Sequence, residues 1–455
     1  MLLKIDFRKY SDPEKMASDY LSEVFKNQKI EYPINPFALM KREGILFKFM
    51  DCHNLEGVYI PADSEDDIPV VGINYGRQIT RQRFTAAHEL CHHFKDADKF
   101  ISCPIDGKND IEKFADRFAS SLLMPRSELK TQIDFYRQNG QDGFINFDDV
   151  LNIAHFFGVS FQACLYRIAY DLNSTLIKES ISEESIKQYA PDKQRKKLHL
   201  THLQLYSDLL DCFPEKLNLE QNKHAFYVFQ NKNLFNDSRM EGLNASIEEA
   251  SEIVTDLRLK MQNSRYCREE NEAYLSIAGH YAMYQEIFKE ANRNLSIYDI
   301  FILNRKLFSC YPNPNTGGLA RRSNTLVLGT KFETADYRDI TAGIAELDKD
   351  INDLNKRSDK LSTSEFIKCV ARIHHKLTVI HPFSDGNGRT ARAFMNLQLV
   401  RAGLLPIYVK VEDKKDYLEA LSLADKNQDY SALYEMFFKI MIRSHVELTS
   451  YDAGE

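Results

Sequence analysis

The chain has 455 residues, of which 43% are hydrophobic and 27% are charged, and its formal net charge is −7. This length accommodates two or three domains with separate cores, and the negative charge argues against direct nucleic-acid binding, which normally needs a basic surface. None of the eight cysteines forms a Cys-x-x-Cys pair, which favours reduced thiols and a cytoplasmic location. The charged N-terminus is no secretory signal, and no apolar stretch is long enough to span a membrane.

The first part of the chain, residues 1–175, mixes strand patterns with helical patterns. Two β-branched runs, 57–61 and 68–74, predict strands because they are bounded by Pro, Gly and Asp. A helical spacing follows, with apolar residues every four positions at Phe114, Phe118 and Leu122. This mixture predicts an α+β domain.

The segment His88-Glu-Leu-Cys-His92 has the spacing of a metal site. On a helix the two histidines lie one turn apart on the same face, which suits two corners of a tetrahedral Zn²⁺ site. Glu89 lies beside them as the candidate general base for a water molecule that the metal activates. His93 is expected to point away from this face.

Two longer stretches resemble the ImmA/IrrE family of cytosolic bacterial metallopeptidases. Residues 83–94 are similar to the family's first metal-binding helix, and residues 112–125 are similar to its second. The resemblance covers residues 15–173 and implies a zincin-like fold with Glu112 as the third zinc ligand. It also implies an endopeptidase whose substrates include DNA-binding repressors or other regulators.

Two positions depart from this family. Cys91 stands in place of the usual glycine, and Asp116 stands in place of the usual asparagine. We interpret Cys91 as a small buried thiol.

The helices predicted at 147–157 and 160–170 have helix-turn-helix spacing, but they are poor in Arg and Lys, so we expect them to pack in the core and not to read DNA.

The segment 176–198 is polar and strongly charged, which predicts a linker. From residue 199 to 455 the pattern is almost wholly helical. A capping box at Ser362–Glu365 predicts the start of a long helix that ends at His381. The run 324–329 is strand-like and predicts half of a β-hairpin.

The stretch from His381 to Arg392 joins two predicted helices through a glycine-rich turn. Glycines let main-chain N–H groups approach an anion, and the helix that follows adds unpaired N–H groups of its own. Asp385 is a candidate ligand for Mg²⁺, and His381 is a candidate proton acceptor. The candidate phosphate contacts are Gly386, Asn387, Gly388, Arg389 and Arg392.

This stretch matches, at every defined position, the motif of the Fic family, His-x-Phe-x-Asp/Glu-Gly-Asn-Gly-Arg-x-x-Arg, and the resemblance extends over residues 230–440. Most characterised Fic proteins transfer AMP from Mg-ATP to a Ser, Thr or Tyr hydroxyl of a protein. The resemblance implies an all-α bundle with a small β-hairpin flap, in which His381 is the base and Asp385 binds Mg²⁺. It also implies that residues 386–389 surround the α- and β-phosphates of ATP and that Arg392 contacts the γ-phosphate.

A segment further upstream, residues 236–242, resembles the inhibitory motif of self-restrained Fic proteins, Ser/Thr-x-x-x-Glu-Gly/Asn, and an inhibitory helix is expected near 236–250. Asp237 stands where Ser or Thr is usual. The family interpretation pairs Glu241 with Arg392, which withholds Arg392 from the γ-phosphate. Two alternatives stay open: Glu241 is an exposed acid at the start of a helix, or it positions water for the removal of AMP.

Together these patterns predict an α+β zincin-like zinc metallopeptidase domain at 1–175 and an all-α Fic domain at 199–455. The predicted function is AMP transfer to a protein hydroxyl, restrained by Glu241, together with zinc-dependent cleavage of a regulator. The alternatives are an N-terminal domain that binds zinc as a sensor without cutting, and a Fic domain that works mainly in AMP removal or as a toxin.

Overall fold

The computed structural model describes residues 5–26, 28–51, 54–64, 66–104, 109–140, 143–213, 223–268, 271–289, 294–312, 317–325 and 334–449. Its contacts divide the chain into two compact units, Met1–Cys212 and Phe213–Glu455. Among the described helices, none is long and apolar enough to cross a membrane.

The first unit contains a sheet of four short strands. They are β1 (Leu46–Met50), β2 (Leu55–Ile60), β3 (Val70–Asn74) and β4 (Ile101–Pro104), in the order β1-β3-β2-β4. β1 runs parallel to β3, whereas β2 pairs antiparallel with both β3 and β4. The two predicted strands correspond to β2 and β3. β1 and β4 are not among the predicted strands, and β4 gives a weak signal because it has only four residues and ends in a proline.

Helices cover most of the rest of this unit. They are α1 (Pro13–Phe25), α2 (Pro36–Arg42), α3 (Ile79–Lys95), α4 (Asp110–Leu123), α5 (Arg126–Asn139), α6 (Phe147–Phe157), α7 (Phe161–Tyr166), α8 (Glu183–Tyr189), α9 (Pro191–Lys197) and α10 (Leu203–Leu210). The predicted apolar face of α6 is buried, at Val150, Ile153, Ala154 and Phe157. The interpretation of this helix as part of the core is confirmed.

Two of these helices, α3 and α4, carry the predicted zinc ligands. α3 packs on β2 and β3 on one side and on α4 on the other, so its middle turns are buried. α4 begins where the side chain of Asn109 accepts a hydrogen bond from the main-chain N–H of Glu112. Phe118 and Leu122 are fully buried, as predicted, whereas Phe114 lies half-buried beneath the amine of Lys95. The packing of α3 on α4 therefore brings two distant segments into one site.

The segment predicted as a linker, 176–198, differs from that expectation. It contains α8 and α9, which have no buried residues, and this accounts for its polar sequence. Both helices are held to α6, because Tyr189 Oη and Gln194 Nε2 donate hydrogen bonds to Asp148. The first unit ends at Cys212, since α10 packs against α2 and α3.

The second unit is helical wherever it has regular secondary structure in its described residues. Its helices are α11 (Lys223–Met240), α12 (Ile247–Arg258), α13 (Arg265–Arg268), α14 (Glu272–Lys289), α15 (Ile297–Leu307), α16 (Ile340–Arg357), α17 (Thr363–Ile380), α18 (Asn387–Arg401), α19 (Lys414–Asn427) and α20 (Ser431–Thr449). The predicted strand at 324–329 lies largely outside the described residues, which stop at Thr325 and resume at Thr334.

α17 and α18 form the centre of this unit. The predicted capping box is present, because Ser362 and Glu365 bond each other's main-chain N–H groups. The predicted apolar stripe is buried, at Phe366, Val370, Ile373, Leu377 and Ile380. α18 packs against α14, α15 and α17 and is buried on nearly all sides. Packing on every side fixes the position of its first turn, where the glycine-rich loop lies.

The inhibitory helix expected near 236–250 has different limits. α11 ends at Met240, a turn follows, and α12 begins only at Ile247. A cluster of buried residues packs α11 and α12 against α14, including Leu234, Ile253 and Ile277. Glu241 therefore lies just after the end of a well-packed helix.

Candidate functional site

The predicted zinc ligands lie together in the first unit. Nε2 of His88 lies 3.1 Å from Nε2 of His92 and 3.2 Å from Oε2 of Glu112, and Nε2 of His92 lies 3.7 Å from Oε1 of Glu112. A tetrahedral zinc site with bonds of about 2.0 Å separates its ligand atoms by about 3.3 Å. The three residues therefore fit a metal ion of this size.

The other nitrogens of the two histidines are also bonded. Nδ1 of His88 lies 2.9 Å from Asp116 Oδ1, and Nδ1 of His92 lies 3.3 Å from Asp96 Oδ2. A carboxylate at Nδ1 holds the ring so that Nε2 presents its lone pair to a metal. Asp116, noted in the sequence only as a departure from a family pattern, performs this orienting role.

Glu89 is completely buried beside the three ligands. Among the described residues no nitrogen or oxygen donates a hydrogen bond to its carboxylate, and its one donor is the weak Cys103 thiol. It lies against Gly57 of β2, where any Cβ would overlap with Oε1. Burial raises the pKa of Glu89 to about 7, which suits a group that accepts a proton near neutral pH. A cavity of about 40 Å³ borders Glu89, His88 and Glu112, so a water molecule has room there.

A fourth group, not among the predicted site residues, belongs to this cluster. The Sγ of Cys103 on β4 lies 4.0 Å from Glu112 Oε1, and the ligand atoms of Cys103, His88, His92 and Glu112 all lie within 4.8 Å of one another. Cys91 is buried and stands outside this cluster, in agreement with its interpretation as a core thiol. Sequence spacing does not predict Cys103, because it lies on β4 whereas the other ligands lie on α3 and α4.

In the second unit, the glycine-rich loop takes the shape of an anion site. Gly386 adopts a left-handed φ of +74° and is the N-cap of α18. A Cβ at this position would also collide with the side chains of Leu307 and Phe308. The first N–H groups of α18 have no acceptor within the helix, so they are directed at whatever lies over its N-terminus.

Asn387 braces the loop from within. Its Oδ1 accepts a hydrogen bond from the N–H of Phe383 at 2.9 Å, and its Nδ2 donates to the carbonyl of Phe383 at 2.8 Å. The side chain of Asn387 therefore shapes the loop, and its candidate role as a phosphate contact stays a prediction.

His381 lies directly beyond the end of α17 in a left-handed conformation, with φ of +48°. Its carbonyl accepts a 2.7 Å hydrogen bond from Arg321 Nε, and its Nδ1 lies 3.4 Å from the carbonyl of Thr378. Burial lowers the pKa of the imidazole. The ring is therefore neutral near pH 7 and able to take up a proton.

The two charged residues that flank the loop's glycines are held together. Arg389 donates to Ser276 Oγ at 2.8 Å and to Asp385 Oδ1 at 3.3 Å. The Asp385 side chain is 66% exposed, so its carboxylate is accessible to a hydrated cation such as Mg²⁺.

Arg392 is bound by two carboxylates. Its Nε donates to Asp237 Oδ1 at 2.5 Å, and its NH2 group donates to Glu241 Oε1 at 2.7 Å. Asp237 is 1% exposed and its second oxygen lies 3.2 Å from His280 Nε2. Burial on its own raises the pKa of a carboxyl, but the Arg392 guanidinium outweighs it and lowers the pKa of both Asp237 and Glu241.

A helix end aims Glu241 at Arg392. Gly242, with φ of +79°, ends α11, and the N–H of Leu243 bonds back to the carbonyl of Ser238. The alternative of an exposed acid at a helix start is wrong about the helix, because Glu241 lies at the C-terminal end of α11, whereas its side chain is 34% exposed. A Cβ added at Gly388 would lie 3.3 Å from Glu241 Oε1, which places this carboxylate over the N-terminus of α18.

Two family models match the chain. Residues 294–399 match the Fic/DOC family, and residues 40–169 match the IrrE N-terminal-like domain. The second unit is similar to protein adenylyltransferase Fic of Nematostella vectensis, with 33% identity over 141 residues that make up 30% of this chain and 30% of the relative. Protein adenylyltransferase fic-1 of Caenorhabditis elegans is 32% identical over 140 residues, which make up 30% of this chain and 26% of that relative.

Among solved structures, the fold is similar to a Fic-domain-containing signalling protein from Bacteroides thetaiotaomicron, with a TM-score of 0.41, 23% identity and coverage of 53% of this chain and 92% of that one. The chain spans about 30% of the length of the curated relatives it matches. The two family matches show that the chain carries an IrrE N-terminal-like peptidase domain followed by a domain of the Fic/DOC family.

Proposed function

We propose that the second unit is a protein AMP transferase that uses Mg-ATP and is held inactive by Glu241. The observation that carries this proposal is the carboxylate of Glu241, bonded to Arg392 and lying over the N-terminus of α18. An anion at this place is what a loop made for phosphate attracts. The adenylyltransferase names of the relatives favour AMP as the transferred group.

Each residue of the loop has its own role in the proposed reaction. The N–H groups at 386–389 and the Arg389 guanidinium would hold the α- and β-phosphates, and Arg392 would hold the γ-phosphate. Asp385 would bind Mg²⁺, which neutralises phosphate charge. His381 takes the proton of the acceptor hydroxyl, whose oxygen bonds to the α-phosphorus as pyrophosphate leaves. The acceptor is a Ser, Thr or Tyr hydroxyl of a protein.

The inhibition follows from competition for one guanidinium. Glu241 takes the NH2 group of Arg392, so the γ-phosphate meets both an occupied donor and a like charge. Asp237 accepts a hydrogen bond from Nε of Arg392 only. The γ-phosphate can therefore replace Glu241 at the terminal nitrogens of Arg392 while the bond to Asp237 stays in place. A closed population of 99% needs a preference of only about 2.7 kcal/mol, which one partly shielded ion pair and the packing of α11 could supply.

The proposed activity of the first unit is zinc-dependent cleavage of a regulatory protein. His88, His92 and Glu112 would hold the metal, which supplies a Lewis acid, and the buried carboxylate of Glu89 would take a proton from water. Comparing new protein N-termini in a cell lysate after treatment with wild type or with Glu89→Gln tests this. Identical sets of N-termini would favour a domain that binds zinc without cutting.

The transferase is tested with ATP labelled at the α-phosphate, Mg²⁺ and a cell lysate. The Glu241→Gly variant should label a discrete protein band strongly, wild type weakly, and Glu241→Gly/His381→Ala not at all. ATP labelled at the γ-phosphate is the control, because AMP transfer leaves that label on pyrophosphate. Label from γ-ATP alone would mean phosphorylation, and loss of AMP from a previously labelled band would mean that removal is the main reaction.

A further inference from the structure

We propose that Cys103 is the fourth ligand of the metal site in the first unit, and that its thiolate closes the coordination position that a peptidase leaves open for water. The inference goes beyond the proposed functions of both units. It concerns the resting state of the metal centre, and it depends on the metal that His88, His92 and Glu112 are built to hold.

The sheet directs Cys103 toward the site. Cys103 on β4 is the registered partner of Gly57 on β2, and paired residues of antiparallel strands project to the same face of a sheet. That face at Gly57 is filled by the carboxylate of Glu89, because Gly57 has no side chain of its own. The thiol of Cys103 is thus placed beside both the candidate base and the candidate ligands.

The distances fit a sulfur ligand after a small adjustment. With zinc bonds of about 2.3 Å to sulfur and about 2.0 Å to nitrogen or oxygen, a tetrahedral site separates sulfur from each other ligand by about 3.6 Å. The Sγ of Cys103 lies 4.0 Å from Glu112 Oε1, and all four ligand atoms lie within 4.8 Å of one another. Closing the remaining gap takes a displacement of about 1 Å, which a side-chain rotation can supply.

Two further observations point to a ligand at this place. Cys103 is only 3% exposed, so its thiol has no solvent to face. Glu89 is buried, and among the described residues its carboxylate has no donor stronger than the Cys103 thiol. A buried carboxylate with so weak a donor, next to three metal-binding groups, indicates that a cation completes the site.

The consequence is a site that is closed at rest. Two histidines, one glutamate and one cysteine fill four positions, which is the arrangement of a structural zinc site, whereas catalytic sites keep one position open. On metal binding, the Cys103 thiol passes its proton to the adjacent Glu89 carboxylate and its sulfur bonds the metal, so no oxidant or reductant is needed. Cleavage then requires that Cys103 leaves first.

The test uses Co²⁺ in place of zinc, bound to the full chain after removal of metal. A thiolate ligand gives Co²⁺ an intense near-ultraviolet charge-transfer band, which imidazole and carboxylate ligands do not give. Wild type should show this band, and Cys103→Ser should lose it while keeping the weaker visible bands of four-coordinate Co²⁺. Cys91→Ala is the matched control, because Cys91 is also buried in this unit but lies outside the cluster, and it should keep the band.

A second measurement is independent of the spectrum. In competition with a chelator, Cys103→Ser should bind Zn²⁺ about 10- to 100-fold more weakly than wild type, a loss of the size seen even for groups that only support a ligand. Wild type without the charge-transfer band, or a band that survives in Cys103→Ser, would overturn the proposal. Failure of the wild-type chain to bind Co²⁺ or Zn²⁺ would overturn it too, together with the metal site, and leave the transferase proposal untouched.

Discussion

The two candidate sites satisfy their buried charges in opposite ways. In the first unit, a buried carboxylate with no donor stronger than a thiol among the described residues shares one small space with a group of metal-binding atoms. In the second, the cation that would bind phosphate is already paired with two carboxylates of its own chain. Under the functions proposed above, an ion from outside would complete the first site, whereas the second already holds a carboxylate of its own chain that ATP would have to displace.

This difference leads us to expect that the two proposed sites respond to ligands in different ways. A site that lacks a partner gains stability when its ligand arrives, because burying an unpaired charge is costly. A site that has replaced its ligand with Glu241 gains nothing until that carboxylate is displaced. Zinc should act on the first unit as a stabiliser, and a change at Glu241 should act on the second as a switch.

The largest effect is expected from removal of the proton acceptor. His381→Ala in the Glu241→Gly background should lower AMP transfer by about 10²- to 10⁴-fold, the usual contribution of a general base. Transfer from α-labelled ATP measures it, and ATP binding should stay unchanged. His375→Ala is a control, because His375 faces Tyr430 and not the loop. Full activity of His381→Ala would remove this residue from the reaction.

Release of the inhibition is expected to have the next largest effect. Glu241→Gly should raise the initial rate of AMP transfer by up to about 100-fold, corresponding to the loss of a 99% closed population. Glu248→Gly also removes an acid but lies on the exposed first turn of α12 and should not activate. Equal rates and equal ATP affinity for Glu241→Gly and wild type would show that the Glu241–Arg392 pair is structural only.

Zinc should stabilise only the first unit. At a free concentration about 100 times its dissociation constant, it should add about 2.7 kcal/mol to that unit's unfolding free energy. His92→Ala should abolish this gain, measured by thermal unfolding with increasing zinc. His93→Ala should retain it, because His93 bonds Tyr59 and lies outside the cluster. A zinc response that survives in His92→Ala would place the metal elsewhere.

The smallest effect concerns pH. Arg392 holds the pKa of Glu241 below its usual value of 4.5, so the ion pair is complete above that value and is lost only as pH falls through the lower, folded pKa. The ratio of Glu241→Gly to wild-type rates should therefore be constant between about pH 5.5 and 8. Rates measured across this range test it, and a ratio that falls toward unity at the acid end would contradict the pairing.

Local spacing was enough to predict much of the fold and many site residues. His88 and His92 are four residues apart on α3, and the loop residues from His381 to Arg392 are contiguous, so their proximity follows from helix and turn geometry alone. The capping box at Ser362 and the buried stripe of α17 are local in the same sense.

The helices within the segment predicted as a linker were not predicted, because α8 and α9 have no buried face and so give no apolar periodicity.

By itself the sequence determined the groups that lie close together along the chain, the two histidines of α3 and the loop from His381 to Arg392, because helix periodicity and turn glycines act over a few residues. Only the tertiary structure decided what completes them. The resemblance implied the pairing of Glu241 with Arg392, but Asp237 as its second partner and Cys103 beside the candidate zinc ligands, through a strand pairing with Gly57, are visible only in the structure. Contacts between distant segments depend on how whole helices and strands pack, and no local pattern encodes that packing.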